Sequence, residues 1–273
     1  MLAKQRQQRI LAELHEHGWA RVSELTALLG VSDMTIRRDL DQLASSGSVH
    51  KVHGGALLNT AASDEPGFEA KSGLEQAAKS AIAAAAATLI RPGSAIAVSA
   101  GTTTWGLAQH VGGIAGLTIV TNSTTVADVI ASAGNVRDQV VILTGGVRTP
   151  SAALVGPVAD QAIRSLHVDQ LFLGVHGMDP AAGFTTPNLA EAETNRALIA
   201  GADQVIVCAD STKWGSVGLA SFAPLSAADV LITDTGLSPE AQGVLADAVG
   251  ELQLVAVERA SEVGARGRVA RAE

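Results

Sequence analysis

The chain has 273 residues, 47% hydrophobic and 17% charged, with 28 glycines, 3% aromatic residues and no tyrosine. This composition predicts an ordered globular protein of one large or two smaller domains, its core built from Ala, Val, Ile and Leu. A single cysteine excludes an internal disulfide framework and a zinc-finger site, and the net charge of −8 argues against affinity of the whole molecule for polyanions.

The charge is uneven: residues 1–59 carry a net of +1 and the remainder a net of −9. Residues 4–17 place Ile10, Leu11 and Leu14 on one helical face, and Gly18 stops that helix. A short helix restarts near Ser23 with Leu25, Leu28 and Leu29 apolar, and Gly30 breaks it. Ser32 or Asp33 caps a third helix running to about Ala44, with Ile36, Leu40 and Leu43 at i, i+4 and i+7. Residues 48–53 then alternate and run into Gly54-Gly55, which suits a short strand pair, or wing. Residues 59–75 are acidic and marked by Gly, Ser and Pro, and they predict a linker into a helix over about 75–90.

After Pro92-Gly93 short apolar runs alternate with helical patterns, at 95–99, 117–121, 140–144, 170–175, 204–209, 230–233 and 252–257. Continuous apolar strands between helices predict a mostly parallel α/β sheet covered on both faces. The expected organisation is a winged helix-turn-helix at 1–58, a linker at 59–75, an α/β domain at 76–258 and a polar tail at 259–273. The first residues lack the apolar core of a signal peptide and no run is long enough for a bilayer, so the expected compartment is the cytoplasm, with no membrane partner.

The third helix presents chemistry that suits DNA. With Ile36, Leu40 and Leu43 facing inward, Thr35, Arg37 and Arg38 lie on or beside the outer face near its start. Arginine offers a bidentate fork to guanine, and hydroxyls such as Ser32 suit phosphate. Lys51 and His53 of the wing add candidate contacts to the DNA backbone or minor groove. A winged helix serving protein interaction, with Arg37 and Arg38 in a solvated ion-paired surface, is the other reading of these residues. His50 and His53 have no cysteine or carboxylate cluster beside them, so no metal is expected.

The α/β domain is read at its strand ends, where open parallel sheets bind ligands. Gly101, Thr102, Thr103 and Thr104 form a glycine-plus-hydroxyl turn at a helix start, a cradle for an anion. Asn122, Gly145, Gly146, His176, Asp210 and Lys213 end the next strands. Lys213 would supply a cation, and Asn122, Asp210 and Glu191 would hydrogen-bond hydroxyls, so a small phosphorylated polyol is the expected ligand. Taken alone, Gly145-Gly146 reads more simply as a structural turn. Cys208 reads as a buried strand residue, Asp234 as structural, and Trp105 and Trp214 as packing residues.

The run from Val31 to Leu40, with Gly47 and His53-Gly54-Gly55-Ala56, resembles the helix-turn-helix signature of DeoR-type transcriptional repressors. Further on, Phe68-Glu69, Lys79, Gly101-Thr102-Thr103, Thr121-Asn122-Ser123, Gly145-Gly146, Gly183 to Thr186, Glu191-Ala192 and Asp210 to Gly215 resemble, in order, the effector domain of the same family. Its fold is similar to that of ribose-5-phosphate isomerase. Together the resemblances span residues 4 to 236. They imply an oligomeric, dimeric or tetrameric repressor of a carbohydrate operon that binds double-stranded operator DNA, needs no cofactor, and is released by a sugar phosphate. The chain departs from the family pattern in four places: His50-Lys51 stands where the wing usually carries arginine, Ser99 where the family carries a carboxylate, His176 where a smaller polar residue is common, and Asn195 where lysine is often found, leaving Arg196 or Lys213 as the basic partner. An isomerase-like enzyme bearing a winged helix, and a DNA-binding protein whose pocket no longer senses a ligand, are the alternatives.

Overall fold

In the computed structural model, residues 2–17, 19–45, 49–52, 54–58, 67–133 and 138–257 are described. The amino-terminal head consists of α1 (Ala3–His17), β1 (Trp19–Arg21), α2 (Val22–Leu29), α3 (Asp33–Ser45), β2 (Val49–Val52) and β3 (Gly55–Leu58). Its core is the expected one: Ile10, Leu14, Leu25, Ile36 and Leu40 are at most 1% exposed. Gly30 closes α2 in the left-handed region at φ 64°, which glycine adopts without a Cβ clash. Ser32 caps α3, its Oγ accepting the Thr35 N–H at 3.3 Å.

Two features of the head were not predicted. The wing is a three-stranded antiparallel sheet, in the order β1-β3-β2, because Trp19-Ala20-Arg21 pairs with Gly55–Leu57. Gly55 thus begins a strand rather than closing one, and a Cβ there would lie 2.5 Å from the Ala20 carbonyl oxygen. Asp39, between Arg38 and Leu40, is buried at 2% exposure, where Arg6 of α1 grips it with Nε and, at 3.1 Å, Nη2. This fork ties α1 to α3 and buries a carboxylate only because a guanidinium comes with it. Asp39→Ala strands that guanidinium, so α1 and α3 are expected to lose amide protection against hydrogen exchange while the rest of the chain keeps it. Unchanged protection would show that the pair is dispensable.

Part of the expected linker is helical. Residues 68–72, inside the expected linker, form the short helix α4 (Phe68–Ser72), followed by α5 (Gln76–Ala87). The chain continues through β4 (Ala95–Val98), α6 (Thr102–Val111), β5 (Thr118–Thr121), α7 (Thr124–Ser132), β6 (Val140–Leu143), the hairpin β7 (Val147–Arg148) and β8 (Leu154–Val155), and α8 (Pro157–Arg164). Then come β9 (Val168–Gly174), β10 (Gly177–Asp179), β11 (Gly183–Thr186), α9 (Leu189–Ala200), β12 (Ala202–Cys208), β13 (Ala220–Ala223), β14 (Val230–Asp234), α10 (Pro239–Ala248) and β15 (Glu251–Val255). The expected tail at 259–273 lies outside the described residues, as do residues 59–66 of the linker.

All seven apolar runs become strands of one parallel sheet, in the order β15-β14-β12-β9-β4-β5-β6. Successive side chains of a strand point to opposite faces, and both faces of the five inner strands are covered, while the edge strands β6 and β15 stay largely exposed. Leu171 and Leu173 of β9 enter one core with Val205 and Val207 of β12 and with Ala197, Leu198, Ala241 and Leu245 of α9 and α10. Phe172 enters the other with Ile206, Cys208 and Ile82, Leu107, Val126 and Ile130 of α5, α6 and α7. Cys208 is 1% exposed, and burial pushes its thiol up to about 12, as a buried strand residue requires. Glycine and alanine let α5 and α6 pack closely: a Cβ at Gly106 would sit 3.3 Å from that of Ala83.

The order of the sheet matters most for function. From β4 the chain moves outward through β5 to the edge strand β6, then returns to the other side of β4 with β9 and moves the opposite way. The direction reverses between β4 and β9, and a crevice opens outside the carboxyl ends of strands at such a switch. The smaller elements, β7-β8 and the antiparallel sheet β10-β11-β13, lie in the connections. Gly146, between β6 and β7, has φ 118°, and a Cβ there would stand 2.6 Å from the Val155 carbonyl oxygen. Gly146→Ala is therefore expected to cost about 3 kcal/mol of stability, combining a clash with backbone and a disfavoured φ. Urea unfolding measures it, and a loss below about 1 kcal/mol would mean that the hairpin relaxes freely.

Candidate functional site

Two surfaces carry the chemistry that the sequence pointed to. The first is the outer face of α3. Arg37 and Arg38 are exposed. Arg37 Nε lies 3.2 Å from Asp33 Oδ2, one turn earlier, in a pair whose two side chains are about half exposed. Arg38 makes no ion pair or side-chain hydrogen bond with another described residue. Ser32 and Thr35 share a hydroxyl–hydroxyl bond of 2.8 Å at the start of the helix. Met34, 70% exposed, stands beside them. Lys51 of β2 is bonded to Asp41 of α3, so any phosphate contact from the wing must compete with that carboxylate. His53 lies outside the described residues.

The second is a cavity at the β4/β9 switch, of about 80 Å³ and partly open to solvent. It gathers the turn after β4 (Ala100, Gly101, Thr102, Thr103), the turn after β9 (Gly174, Val175, His176), Asn122 after β5, and Glu191 and Asn195 of α9. Lys213 after β12, Lys71 of α4, and Ser151 and Ala153 between β7 and β8 complete the wall with Thr186, Pro187 and Ala209.

The first turn of α6 begins at Gly101, whose backbone takes φ 153°, and no side chain caps it. The free N–H groups of that turn and the hydroxyls of Thr102 and Thr103 form the expected donor cradle. Asn122 is 2% exposed and ties the sheet ends together, its Oδ1 accepting Ala100 N–H at 3.0 Å and its Nδ2 donating to the Leu154 carbonyl at 3.3 Å. Glu191 is held by hydroxyls: Oε1 accepts from Thr149 at 2.8 Å and from Ser151, and Oε2 from Thr186 at 3.1 Å. Its carboxylate is oriented before any ligand arrives. Ser99, in the slot of the missing carboxylate, is 1% exposed and accepts the Gly174 N–H at 2.9 Å. It joins β4 to β9 instead of facing a ligand.

Four expected ligand residues do not line the cavity. Gly145 and Gly146 follow β6, an edge strand two places from the switch, and serve the turn into β7. Thr104 is fully buried and donates to the Gly101 carbonyl at 3.0 Å, closing the first turn of α6. Asp210 lies behind the wall at 1% exposure. Its Oδ1 caps the short 3₁₀ turn at Thr212, and its Oδ2 has no hydrogen-bond partner and sits 4.0 Å from Lys213 Nζ. Burial raises its pKa, but Lys213, the Thr212 hydroxyl and Lys79 outweigh that and hold the carboxyl below the usual range.

Arg196 is also turned away: it pairs with Glu193 and donates to the Ser221 carbonyl at 2.6 Å, which leaves Lys213 on the cavity wall. Asp234 holds the turn after β14, accepting Ser211 N–H at 2.6 Å and Gly236 N–H at 2.9 Å. Trp105 and Trp214 pack in the cores. Lys71, Ser151 and Asn195 were not predicted as ligand residues. Lys71 lies one helical turn from Phe68, a weak sign of a helix in a segment otherwise marked as linker.

Residues 6–62 match the model of the DeoR-like helix-turn-helix domain, and residues 74–235 that of the DeoR C terminal sensor domain. The chain belongs to the DeoR family. Among its relatives are the Escherichia coli K12 HTH-type transcriptional regulator YgbI, 37% identical over 90% of this chain and 95% of that protein, and a putative aga operon transcriptional repressor of E. coli O157:H7, 35% identical over 92% and 93%. The HTH-type transcriptional regulator GlpR of Haloferax volcanii is 35% identical over 89% and 94%. Among solved structures, ribose 5 phosphate isomerase A from Neisseria gonorrhoeae aligns with a TM-score of 0.37 and 15% identity, over 50% of this chain and 53% of that one. This DeoR-family protein is a DNA-binding transcriptional regulator and not an enzyme, which removes the isomerase alternative. No helix among the described residues is long and apolar enough to cross a membrane.

Proposed function

We propose that this DeoR-family regulator is a repressor of a carbohydrate operon that a phosphorylated sugar or polyol releases from its operator. The observation that carries this reading is the cavity wall at the β4/β9 switch. The uncapped first turn of α6, with Lys213 and Lys71, suits a phosphate, and the Glu191 carboxylate, oriented by three hydroxyls, suits sugar hydroxyls. Gly101, Thr102 and Thr103 hold the phosphate, and Asn122, His176 and Glu191 meet the polyol. The names of relatives support the class: one is a putative repressor of the aga operon, and another is the Bacillus subtilis repressor GlcR.

On the DNA side, Arg38 and Thr35 read bases in the major groove, and Arg37, Ser32, Lys51 and His53 position the head on phosphates. The head is nearly neutral, so useful affinity needs more than one copy, and we infer a homo-oligomer that sets two α3 helices on half-sites of the operator in the cytoplasm. The DNA-reading unit ends near residue 58, and the sensor unit includes α4. The test is fluorescence anisotropy with DNA from immediately upstream of the protein's own gene, at fixed salt, with a panel of sugar phosphates titrated in. Sequence-dependent binding released by one compound is expected. Specific binding that no sugar phosphate releases would overturn the effector reading and leave the DNA reading standing.

A further inference from the structure

The helix α4 is only five residues long, yet it touches the cavity at one point and the DNA-reading head at another. Its start is pinned to the sensor unit: Phe68 N–H donates to the Pro150 carbonyl at 3.1 Å, and the Phe68 ring meets Trp105 edge-on at 6.0 Å. Lys71 lines the cavity, and its carbonyl accepts a 2.7 Å bond from the buried ammonium of Lys79. Two residues later the carbonyl of Gly73 accepts Arg21 Nη2 at 2.9 Å. Gly73 also lies against Trp19, where a Cβ would stand 3.1 Å from two ring atoms, and Arg21 covers the same ring at 5.5 Å. Arg21 precedes α2, and its backbone N–H is bonded to Glu24 in that helix at 2.9 Å. A continuous line of contacts therefore runs from the cavity wall to the first helix of the helix-turn-helix.

The electrostatics set the class of ligand that can act on this line. Lys71 and Lys213 line the cavity together with the Glu191 carboxylate, while Lys79 and Asp210 interact with them from behind, so Lys71 and Lys213 are the lysines that an anion in the cavity can meet. We propose that an anionic group in the cavity, of the phosphate monoester type, is bound between Lys71 and Lys213, and that its hold on Lys71 is passed to the DNA-reading head through Gly73, Arg21 and Trp19. This inference rests on the effector reading of the cavity and adds the route by which the head responds. The Arg21–Gly73 bond, where made, ties the head to the segment that follows α4. An anion that draws Lys71 into the cavity shifts α4 and weakens that bond, and the head loses the orientation that matches an operator half-site. A ligand acts this way only if it binds the two arrangements with different affinity, which a side chain shared by cavity and hinge provides.

Trp19 makes the route observable. In full-length protein carrying Trp105→Phe and Trp214→Phe, Trp19 is the sole indole, and inorganic phosphate serves as the probe at constant ionic strength. Phosphate binding is followed separately by ³¹P line broadening. The expected result is that Trp19 emission shifts with the same phosphate midpoint as the ³¹P signal. Lys71→Met and Lys213→Met each weaken phosphate binding at least tenfold. Arg21→Met, which keeps the backbone bond to Glu24, binds phosphate within about twofold of the parent but shows no Trp19 shift. Gly73→Ala, whose backbone conformation accepts alanine, gives the same loss by wedging the ring away. Phosphate binding without any Trp19 response overturns the route and leaves the cavity reading intact. Binding indifferent to both lysine substitutions overturns the seat between Lys71 and Lys213, and failure of phosphate to bind overturns the effector reading with it.

Discussion

Arg38→Ala is expected to lower operator affinity by about 1–3 kcal/mol for each head, the worth of a bidentate arginine–guanine pair, and so by roughly twice that in a dimer. Folding should survive, with stability changed by no more than about 0.5 kcal/mol, because the Arg38 side chain is exposed and bonds to no described neighbour. Arg37→Ala serves as the contrast. Its guanidinium is already turned toward Asp33 at 3.2 Å, in a half-exposed pair worth a few tenths of a kcal/mol. Acting on phosphate, it should weaken binding about equally on specific and non-specific DNA and lower the salt slope by about one. Anisotropy at two salt concentrations separates the two residues. Unchanged operator affinity of Arg38→Ala would mean that α3 does not read bases through this side chain.

Between pH 8 and 10.5 the protein should gain about 3 kcal/mol of stability from Lys79 alone. Burial lowers the Lys79 ammonium from 10.5 to about 8; Asp210 and Glu75 resist that shift, and Lys213 and Lys71 add to it. Below pH 8 the folded and unfolded chains both hold this proton, and the fold bears the full cost of a buried charge. From pH 8 upward the folded chain releases the proton while the unfolded chain keeps it. Stability therefore rises with pH through the window, and the cost is gone above 10.5. Lys79→Met has no such proton to lose. Urea unfolding of both proteins at pH 7.5 and 10 should show the wild type gaining on the variant by about 2–3 kcal/mol. A constant difference would mean that Lys79 is solvated as an ordinary surface lysine. The cost fits its position: a charge kept beside Asp210, in hydrogen-bond contact with the carbonyl of Lys71, helps to make the back of the cavity electropositive.

The elements legible in the sequence were those whose signal is local. Ile36, Leu40 and Leu43 repeat at the helical period and are buried, so α3 and its outer face could be read directly. Of the seven apolar runs, the five that became inner strands were legible because a strand buried on both faces must be apolar along most of its length, whereas the edge strands β6 and β15 are apolar yet largely exposed. The elements missed were too short for a period to show. β1 has three residues and exists because β3 offers it an edge. α4 has five and carries no buried side chain. The burial of Asp39 was not legible, since nothing local indicates that Arg6, 33 positions earlier, folds over it.

The sequence by itself determined the two units, the helix α3 with Arg37 and Arg38 on its outer face, the parallel α/β class and most of the candidate ligand residues, because each is written in short-range pattern or motif. Tertiary structure decided which of those residues meet. A strand end faces the cavity only if it lies at, or next to, the place where the sheet order reverses, so the ends of β4 and β9 and of their neighbours β5 and β12 contribute, while Gly145-Gly146, after the edge strand β6, does not. The same packing brought Lys71, Ser151 and Asn195 to the wall and turned Asp210 behind it. Strand order depends on contacts between segments far apart in the chain, and no local periodicity encodes it.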